Sequence, residues 1–122
     1  MFDRLDDTIA AVSSPPGVSL RGIVRLSGPR ARELAAGVFT TDAPPALTDA
    51  PGWSRHFGRV RIADRATLPA EAYVFRAPAS YTRQDLIELH VPGAPAVLAM
   101  VLDRLAAAGA RHAEPGEFTA RA

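Results

Sequence analysis

The apolar pattern changes its period between Asp85 and Ala108, and this change constrains the fold more than any other feature of the sequence. From Asp85 to Val91 the pattern has a period of two, as in a β-strand with one buried face. We expect two faces on this strand: Ile87, Leu89 and Val91 on one, and Leu86, Glu88 and His90 on the other. From Pro95 to Ala108 the apolar residues recur at helical spacing, and Gly109 is well placed to end the helix. The segment therefore predicts a strand followed by a helix.

Weaker patterns predict the remaining elements and their order. Strands are expected at Asp7–Ser13, Arg21–Gly28, Trp53–Ile62, Glu71–Arg76 and Ala110–Ala113, with a helix from Pro29 to about Phe39. Residues 40–52 are predicted to be a loop because Thr, Asp, Pro and Gly dominate them. The order predicts a single α+β domain over residues 1–122, a mixed β-sheet with helices packed on one face. Residues 115–122 begin like a helix with no following cap, which is typical of a piece of a longer polypeptide.

Several classes of function find no support in the composition and motifs. The chain has no cysteine, which excludes disulfides and thiolate chemistry, and all fourteen basic residues are arginine, which excludes a phosphate-loop lysine. The three histidines lack metal-ligand spacing, and no nucleophile elbow or Gly-rich dinucleotide motif occurs. We therefore predict no catalytic residue, no metal site and no GTPase motif in this chain.

The N-terminus and the apolar runs indicate where in the cell the protein is expected. Residues 1–8 are acidic rather than basic and apolar, so they do not form a secretory signal peptide. The longest apolar run, around residues 96–102, is far shorter than the ~20 residues that a membrane-spanning helix needs. We expect a cytoplasmic protein with no membrane partner.

Arg25 and Glu88 are charged residues that the pattern places between apolar residues inside strands, and each has two interpretations. Both can belong to a solvated sheet face or form a salt bridge with each other. Alternatively, the two oxygens of Glu88 can hold a heterocycle that presents adjacent N–H donors, as guanine and pterin do, and the Arg25 fork can bind an acidic group. His90, on the same face as Glu88, is predicted to be an ordinary surface residue.

Three other features have structural interpretations. Arg55, Arg59, Arg61 and Arg65 form a local basic group, which we interpret as the exterior of a charged hairpin, because a net charge of +1 does not indicate a dedicated nucleic-acid-binding protein. Residues 15–17, Pro-Pro-Gly, are interpreted as a turn. Tyr81 before Thr82 is more typical of loop packing than of a stacking platform.

Four segments, in order along the chain, resemble the N-terminal domain of the MnmE/TrmE tRNA-modification GTPases. They are Asp7-Thr8-Ile9-Ala10-Ala11 with Pro15-Pro16-Gly17; Gly22-Ile23-Val24-Arg25-Leu26-Ser27-Gly28; Tyr81-Thr82 with Asp85-Leu86-Ile87-Glu88-Leu89; and Pro115-Gly116-Glu117-Phe118-Thr119 with Arg121-Ala122. Each motif is weak alone, but their order and spacing across the whole chain make the combination specific.

The resemblance implies a fold and a function. The family's domain is similar to the tetrahydrofolate-binding domain of glycine-cleavage aminomethyltransferases, forms a homodimer, and binds a one-carbon tetrahydrofolate such as 5-formyltetrahydrofolate. In the full protein a helical domain with an inserted GTPase follows, and an FAD-containing partner, MnmG/GidA, joins it in modifying the wobble uridine of certain tRNAs. By matching position, Glu88 corresponds to the glutamate that grips the pterin ring and Arg25 to an arginine of the folate site.

Three segments depart from the family's pattern and keep alternatives open. Residues 18–21 replace a Gly-rich stretch, residues 83–85 replace Gly-Glu-Asp, and residues 92–94 replace His-Gly-Gly. One alternative is a divergent stand-alone dimerisation or interaction module that has lost folate binding. Another is a fragment of an aminomethyltransferase-like enzyme that uses tetrahydrofolate.

Overall fold

One mixed β-sheet organises the chain. The computed structural model describes residues 7–14, 17, 19–77 and 84–121. The strands are β1 (Ile9–Val12), β2 (Ser19–Ser27), β3 (Phe39–Thr41), β4 (Ser54–Ala63), β5 (Ala66–Phe75), β6 (Leu86–Gly93) and β7 (Arg111–His112). The helices are α1 (Ala31–Val38), α2 (Pro95–Ala108) and α3 (Glu117–Arg121), with a 3₁₀ turn at Leu47–Asp49. In the described residues the strand order is β3-β4-β5-β6-β2-β1-β7, and only the β1–β7 pair is parallel. The predicted α+β class is confirmed.

Helices α1 and α2 pack on one face of the sheet and form the core with it. Helix α1 buries residues at helical spacing, Ala31, Leu34, Ala35 and Val38. The sheet contributes apolar residues from its central strands, namely Val24, Leu26, Val74, Ile87, Leu89 and Val91. The expectation that Ile87, Leu89 and Val91 share a buried face is confirmed. Gly109, at φ 123°, ends α2 as predicted, since glycine adopts this conformation without steric cost.

The other face of the sheet is polar and aromatic, and we call it the polar face. It is formed by alternate residues of β2, β4, β5 and β6, including Arg21, Arg25, Arg55, Phe57, Arg59, Arg61, Glu71, Tyr73, Phe75, Glu88 and His90. Because successive strand residues point to opposite faces, the same strands that build the core also present these side chains.

The edge strand β3 and the first half of β5 were not predicted. Residues 40–52 contain part of β3 and the 3₁₀ turn, and β5 begins at Ala66 rather than at Glu71. Strand β3 lies so close to β4 that a Cβ at Gly58 would be 2.0 Å from the Thr40 carbonyl oxygen. Such a close approach depends on distant pairing, which local apolar periodicity does not report.

A cluster of ion pairs attaches α3 to the beginning of β1. The Arg121 side chain is fully buried, and its Nη2 donates to Asp7 Oδ1 at 2.6 Å. Arg111 Nε donates to Asp7 Oδ2 at 2.5 Å, and Arg111 Nη2 donates to Glu117 Oε2 at 2.5 Å. This cluster gives the Pro-Gly-Glu-Phe-x-x-Arg segment a structural role, because it joins residues that are more than a hundred positions apart.

Two of the segments interpreted from the sequence lie wholly or partly outside the described residues. Pro15, Pro16, Tyr81 and Thr82 lie outside the described residues. Gly17 is described and has a positive φ of 101°, a conformation typical of a glycine in a turn. Among the described residues, no helix has the length and apolar character required to cross a membrane.

Candidate functional site

Arg25 and Glu88 form a salt bridge on the polar face. They are directly opposite each other in the register of β2 and β6. Arg25 donates to Glu88 Oε2 from Nη2 at 2.5 Å and from Nε at 3.0 Å. The two side chains are 28% and 16% exposed. The structure thus brings both predicted site residues together, and it bears out the salt bridge that was one of the two interpretations.

His90 completes this group, and its interpretation as an ordinary surface residue is wrong. Its side chain is only 12% exposed, its Nε2 is 3.1 Å from Glu88 Oε1, and its Nδ1 is 3.4 Å from Arg21 Nη1. An arginine only donates, so Nδ1 accepts and the ring proton lies on Nε2, which donates to Glu88. Its ring also packs against Tyr73, with centroids 4.4 Å apart. Glu88 on the same strand, with Arg21 and Tyr73 on the two adjacent strands, therefore fixes the orientation of His90.

Glu88 is held as a carboxylate by these contacts. The hydrogen bond from His90 lowers the pKa of Glu88 most, burial opposes it, and the hydrogen bond and charge of Arg25 lower it further, leaving a pKa below the ordinary value. A deprotonated carboxylate only accepts hydrogen bonds, and its two oxygens offer about four lone-pair positions. His90 and Arg25 donate three hydrogen bonds to them.

An aromatic wall stands beside this carboxylate. Trp53 meets Phe75 edge to face, with ring centroids 5.0 Å apart. Trp53 has a positive φ of 58°, rare for a large side chain, and the residue is 70% exposed. Residues Arg25, Trp53, Phe75, Leu86 and Glu88 line an open cleft of about 310 Å³. The cleft combines apolar ring surface with one ionised hydrogen-bond acceptor, an arrangement that suits a flat heterocycle bearing N–H groups.

Trp53 and Phe75 were not identified as site residues from the sequence. The pattern places Trp53 only at the start of a strand, although it is the single tryptophan of the chain and follows a Pro-Gly pair. A tryptophan directly after a turn-forming Pro-Gly pair is the one signal of its role that the sequence contains. Its position over Phe75 depends on the pairing of β4 with β5, in which Ser54 is opposite Val74.

Glu71 forms a second charged group on the polar face, outside this cleft. Arg21 Nη2 donates to Glu71 Oε2 at 2.6 Å, and Arg55 Nε donates to Glu71 Oε1 at 2.6 Å. Burial raises the pKa of Glu71, but the hydrogen bond from Arg55 and the charge of Arg21 outweigh it, so the pKa falls below the ordinary value. Glu71 is therefore a second ionised strand glutamate, with almost the same exposure as Glu88.

The other predicted basic residues lie on the hairpin formed by β4 and β5. Arg55 and Arg59 are exposed and Arg61 is half-buried, all three at alternate positions of β4, and Arg65 lies in the turn. Among the described residues, no group of three or more His, Asp or Glu side chains is placed to hold a metal ion.

Comparison with known proteins gives one consistent result. Residues 8–122 match the family described as the GTP-binding protein TrmE N-terminus. The chain is 44% identical over 120 residues to a tRNA modification GTPase MnmE from Chlorobium phaeobacteroides, a match that covers 95% of this chain and 25% of the relative. It is 40% identical over 116 residues to the MnmE of Listeria innocua, with the same coverage, and 39% identical over 124 residues to that of Carboxydothermus hydrogenoformans, covering 97% and 26%. The chain thus spans about a quarter of the length of these relatives.

Proposed function

The chain belongs to the TrmE N-terminal family, and from that premise we propose that it is the folate-binding and dimerisation domain of a tRNA-modification GTPase of the MnmE type. The ligand we propose is a one-carbon tetrahydrofolate such as 5-formyltetrahydrofolate. Binding, rather than catalysis, is the activity that we assign to the chain itself.

The observation that carries the proposal is the cleft between the Arg25–Glu88 pair and the aromatic wall of Trp53 and Phe75. A pterin is a flat ring with adjacent N–H donors on one edge. Its ring face matches the exposed indole of Trp53, and its donor edge matches the ionised Glu88 carboxylate. Both kinds of contact are available from one position in the cleft.

Ligand binding, in this proposal, changes which groups donate hydrogen bonds to Glu88. Oε2 already accepts two hydrogen bonds from Arg25, while Oε1 accepts one from His90. We propose that the pterin donates to Glu88 while Arg25 swings away from the carboxylate and pairs with an acidic group of the ligand. Arg25 has room for this movement because more than a quarter of its side chain is exposed.

The remaining parts of the proposal concern partners. By the family resemblance, a second copy of the chain, an FAD-containing MnmG/GidA protein and tRNA are the partners we propose, with GTP hydrolysis supplied by a further domain. The names of the relatives, tRNA modification GTPases, support the assignment of tRNA. The proposal places the protein in the cytoplasm.

A specific observation favours a second candidate, an interaction module that does not bind folate. His90 and Arg25 leave Glu88 with about one unused lone-pair position, so a ligand must displace a donor that is already well placed. A chain that kept this arrangement for stability alone would still form a dimer. The two candidates differ in ligand binding and agree on self-association.

The fluorescence of Trp53 tests the proposal at the level of the cleft, because it is the only tryptophan. Titration with 5-formyltetrahydrofolate is expected to change the emission saturably, whereas para-aminobenzoylglutamate, which lacks the pterin, is expected to have little effect. Equal responses to both compounds, or no response from a folded chain, would contradict the pterin cleft. Light scattering on the same sample measures the mass in solution, and a monomer at all concentrations would contradict dimerisation.

A further inference from the structure

Positive charge is concentrated on the polar face although the chain as a whole is nearly neutral. Five of the fourteen arginines lie on this face within the described strands, namely Arg21, Arg25, Arg55, Arg59 and Arg61. Only two of the thirteen acidic residues, Glu71 and Glu88, share those strand positions. The net charge of +1 therefore conceals an uneven distribution of charged residues, with an excess of positive charge on the polar face.

Strand β4 carries most of this excess in a regular row. Arg55, Phe57, Arg59 and Arg61 occupy alternate positions of the strand, so they share a face at intervals of about 6.6 Å. We call these four residues the β4 row. A row of this kind places guanidinium groups along an extended line. This arrangement complements a polyanionic chain better than a single anion.

The two arginines at the far end of the row have no carboxylate partner among the described residues. Arg59 donates to the Thr67 hydroxyl and carbonyl, and Arg61 Nη1 donates to the Asp64 carbonyl at 2.6 Å. These bonds orient the guanidinium groups without neutralising them. Both side chains thus retain a full positive charge for an external anion.

Phe57 adds an aromatic surface between the arginines. It is 57% exposed, and the Arg55 guanidinium lies 4.6 Å from its ring centre. An exposed ring at the surface of a sheet can stack with an unpaired base, which a base-paired duplex does not present. Two acidic residues adjoin the row at Phe57: Asp42 lies beside it, and Glu71, the partner of Arg55, is opposite it in the register of β4 and β5. Both are nearer the Arg55 end, which favours phosphate contact at the Arg59 and Arg61 end.

We propose that the β4 row binds single-stranded RNA, with Arg59 and Arg61 contacting backbone phosphates and Phe57 stacking on a base. Acidic peptides would satisfy the guanidinium groups but would leave the exposed ring of Phe57 without a partner, so RNA matches more of the surface. The inference names a surface for the RNA partner of the proposed function and rests on that part of it. It does not depend on folate binding, because the β4 row shares no residue with the cleft of Trp53 and Glu88.

The test is anisotropy of a fluorescent single-stranded RNA of about 12 nucleotides, titrated with the full chain between about 50 and 200 mM salt. Arg59→Gln combined with Arg61→Gln is expected to weaken binding at least tenfold. The slope of log affinity against log salt is expected to fall by about 1.4, since each phosphate contact on a single strand contributes about 0.7. Phe57→Ala is expected to weaken binding severalfold with the slope unchanged.

Matched controls separate local contacts from a loss of net charge. Arg30→Gln combined with Arg104→Gln removes the same charge on the helical side, from the residue before α1 and from α2. Met100→Ala removes an exposed apolar side chain from α2. Both are expected to leave RNA affinity within about twofold. Equal losses from the control pair and the β4 pair, no RNA binding by the wild type at low salt, or tighter binding of polyglutamate than of RNA would each overturn the proposal. Circular dichroism confirms that every variant is folded, and folate affinity, measured separately, is expected to persist in the β4 pair.

Discussion

Arg25 Nη2 lies 2.5 Å from Glu88 Oε2 across the register of two adjacent strands. The two residues are 63 positions apart in the sequence, and their pairing places an arginine fork and an ionised carboxylate at the edge of an aromatic cleft. The proposed folate site depends on this pair: in the proposal, Glu88 supplies the acceptor and Arg25 is the donor that a ligand must replace.

Removing Arg25 is expected to weaken folate binding less than removing Glu88. Without Arg25, Glu88 still accepts from His90 and gains free lone pairs for the pterin, so the loss is confined to one partly exposed contact. Binding isotherms of Arg25→Ala measure this effect. Complete loss of binding in this variant, with the fold intact, would assign the larger role to Arg25.

Trp53→Ala is expected to weaken folate binding while leaving stability almost unchanged. The residue is 70% exposed, and its principal described ring contact is the edge-to-face pair with Phe75. Stacking on an aromatic side chain contributes about 0.5–1.5 kcal/mol, so we expect a severalfold loss of affinity. Thermal unfolding and calorimetric titration of the variant check the two halves of this prediction. A large drop in Tm with unchanged affinity would make Trp53 a structural residue.

The cluster of ion pairs at α3 is expected to make the stability of the fold depend on pH. Hydrogen bonds from Arg111, opposed by burial and reinforced by Arg121, lower the pKa of Asp7 from 3.8 to about 2. A carboxyl whose folded pKa is depressed stabilises the fold above its unfolded pKa, and this contribution is lost as the pH falls from about 4 to about 2. The shift corresponds to about 2 kcal/mol of unfolding free energy at neutral pH.

Denaturant unfolding of Asp7→Asn between acidic and neutral pH measures this contribution. The variant is expected to lose about 2 kcal/mol at neutral pH and to approach the wild type in acid. Glu33→Gln is the matched control, since Glu33 forms an exposed pair with Arg30 on α1. A wild-type protein whose stability does not change between about pH 5 and about pH 2 would contradict the role of the cluster.

Two glycine substitutions are expected to have opposite effects. Gly58→Ala would place a Cβ 2.0 Å from the Thr40 carbonyl oxygen, so β3 must move and stability is expected to fall by about 1–3 kcal/mol. Gly37→Ala lies within α1, where an added Cβ meets nothing within 4 Å, and is expected to raise stability by about 0.5–1 kcal/mol. Thermal unfolding compares them directly. A neutral Gly58→Ala would show that β3 is not fixed against β4.

The fold was predictable wherever local periodicity and burial coincide. Helix α2 begins at Pro95 and ends at Ala108 as expected, and the alternation around Glu88 placed it correctly on the face opposite Ile87. Strand β3 was missed because its three residues are held by pairing with β4, which leaves no periodic trace in a segment so short. The resemblance to the MnmE/TrmE family that the four motifs indicated is confirmed by the match over residues 8–122.

The site was predictable only in part. Arg25 and Glu88 are charged residues within apolar strands, a pattern that is visible without a structure. Trp53 and His90 were not predicted because their roles follow from residues distant in the sequence: Phe75 for the indole ring, and Arg21 and Tyr73 for the imidazole. Whether a polar residue faces solvent or a partner depends on cross-strand register, which the single sequence does not specify.

Calorimetric titration with 5-formyltetrahydrofolate of the wild type, Glu88→Ala and Glu71→Ala tests the folate site most directly. Glu71 is the matched control because it is an arginine-paired glutamate on the same face, 15% exposed against 16% for Glu88, and lies outside the cleft. We predict saturable binding by the wild type, a loss of at least about tenfold in Glu88→Ala, and an affinity within about twofold of wild type in Glu71→Ala. Binding by Glu88→Ala within about twofold of wild type, or no binding by a folded wild-type chain, would contradict the folate site; the second result would favour the interaction module.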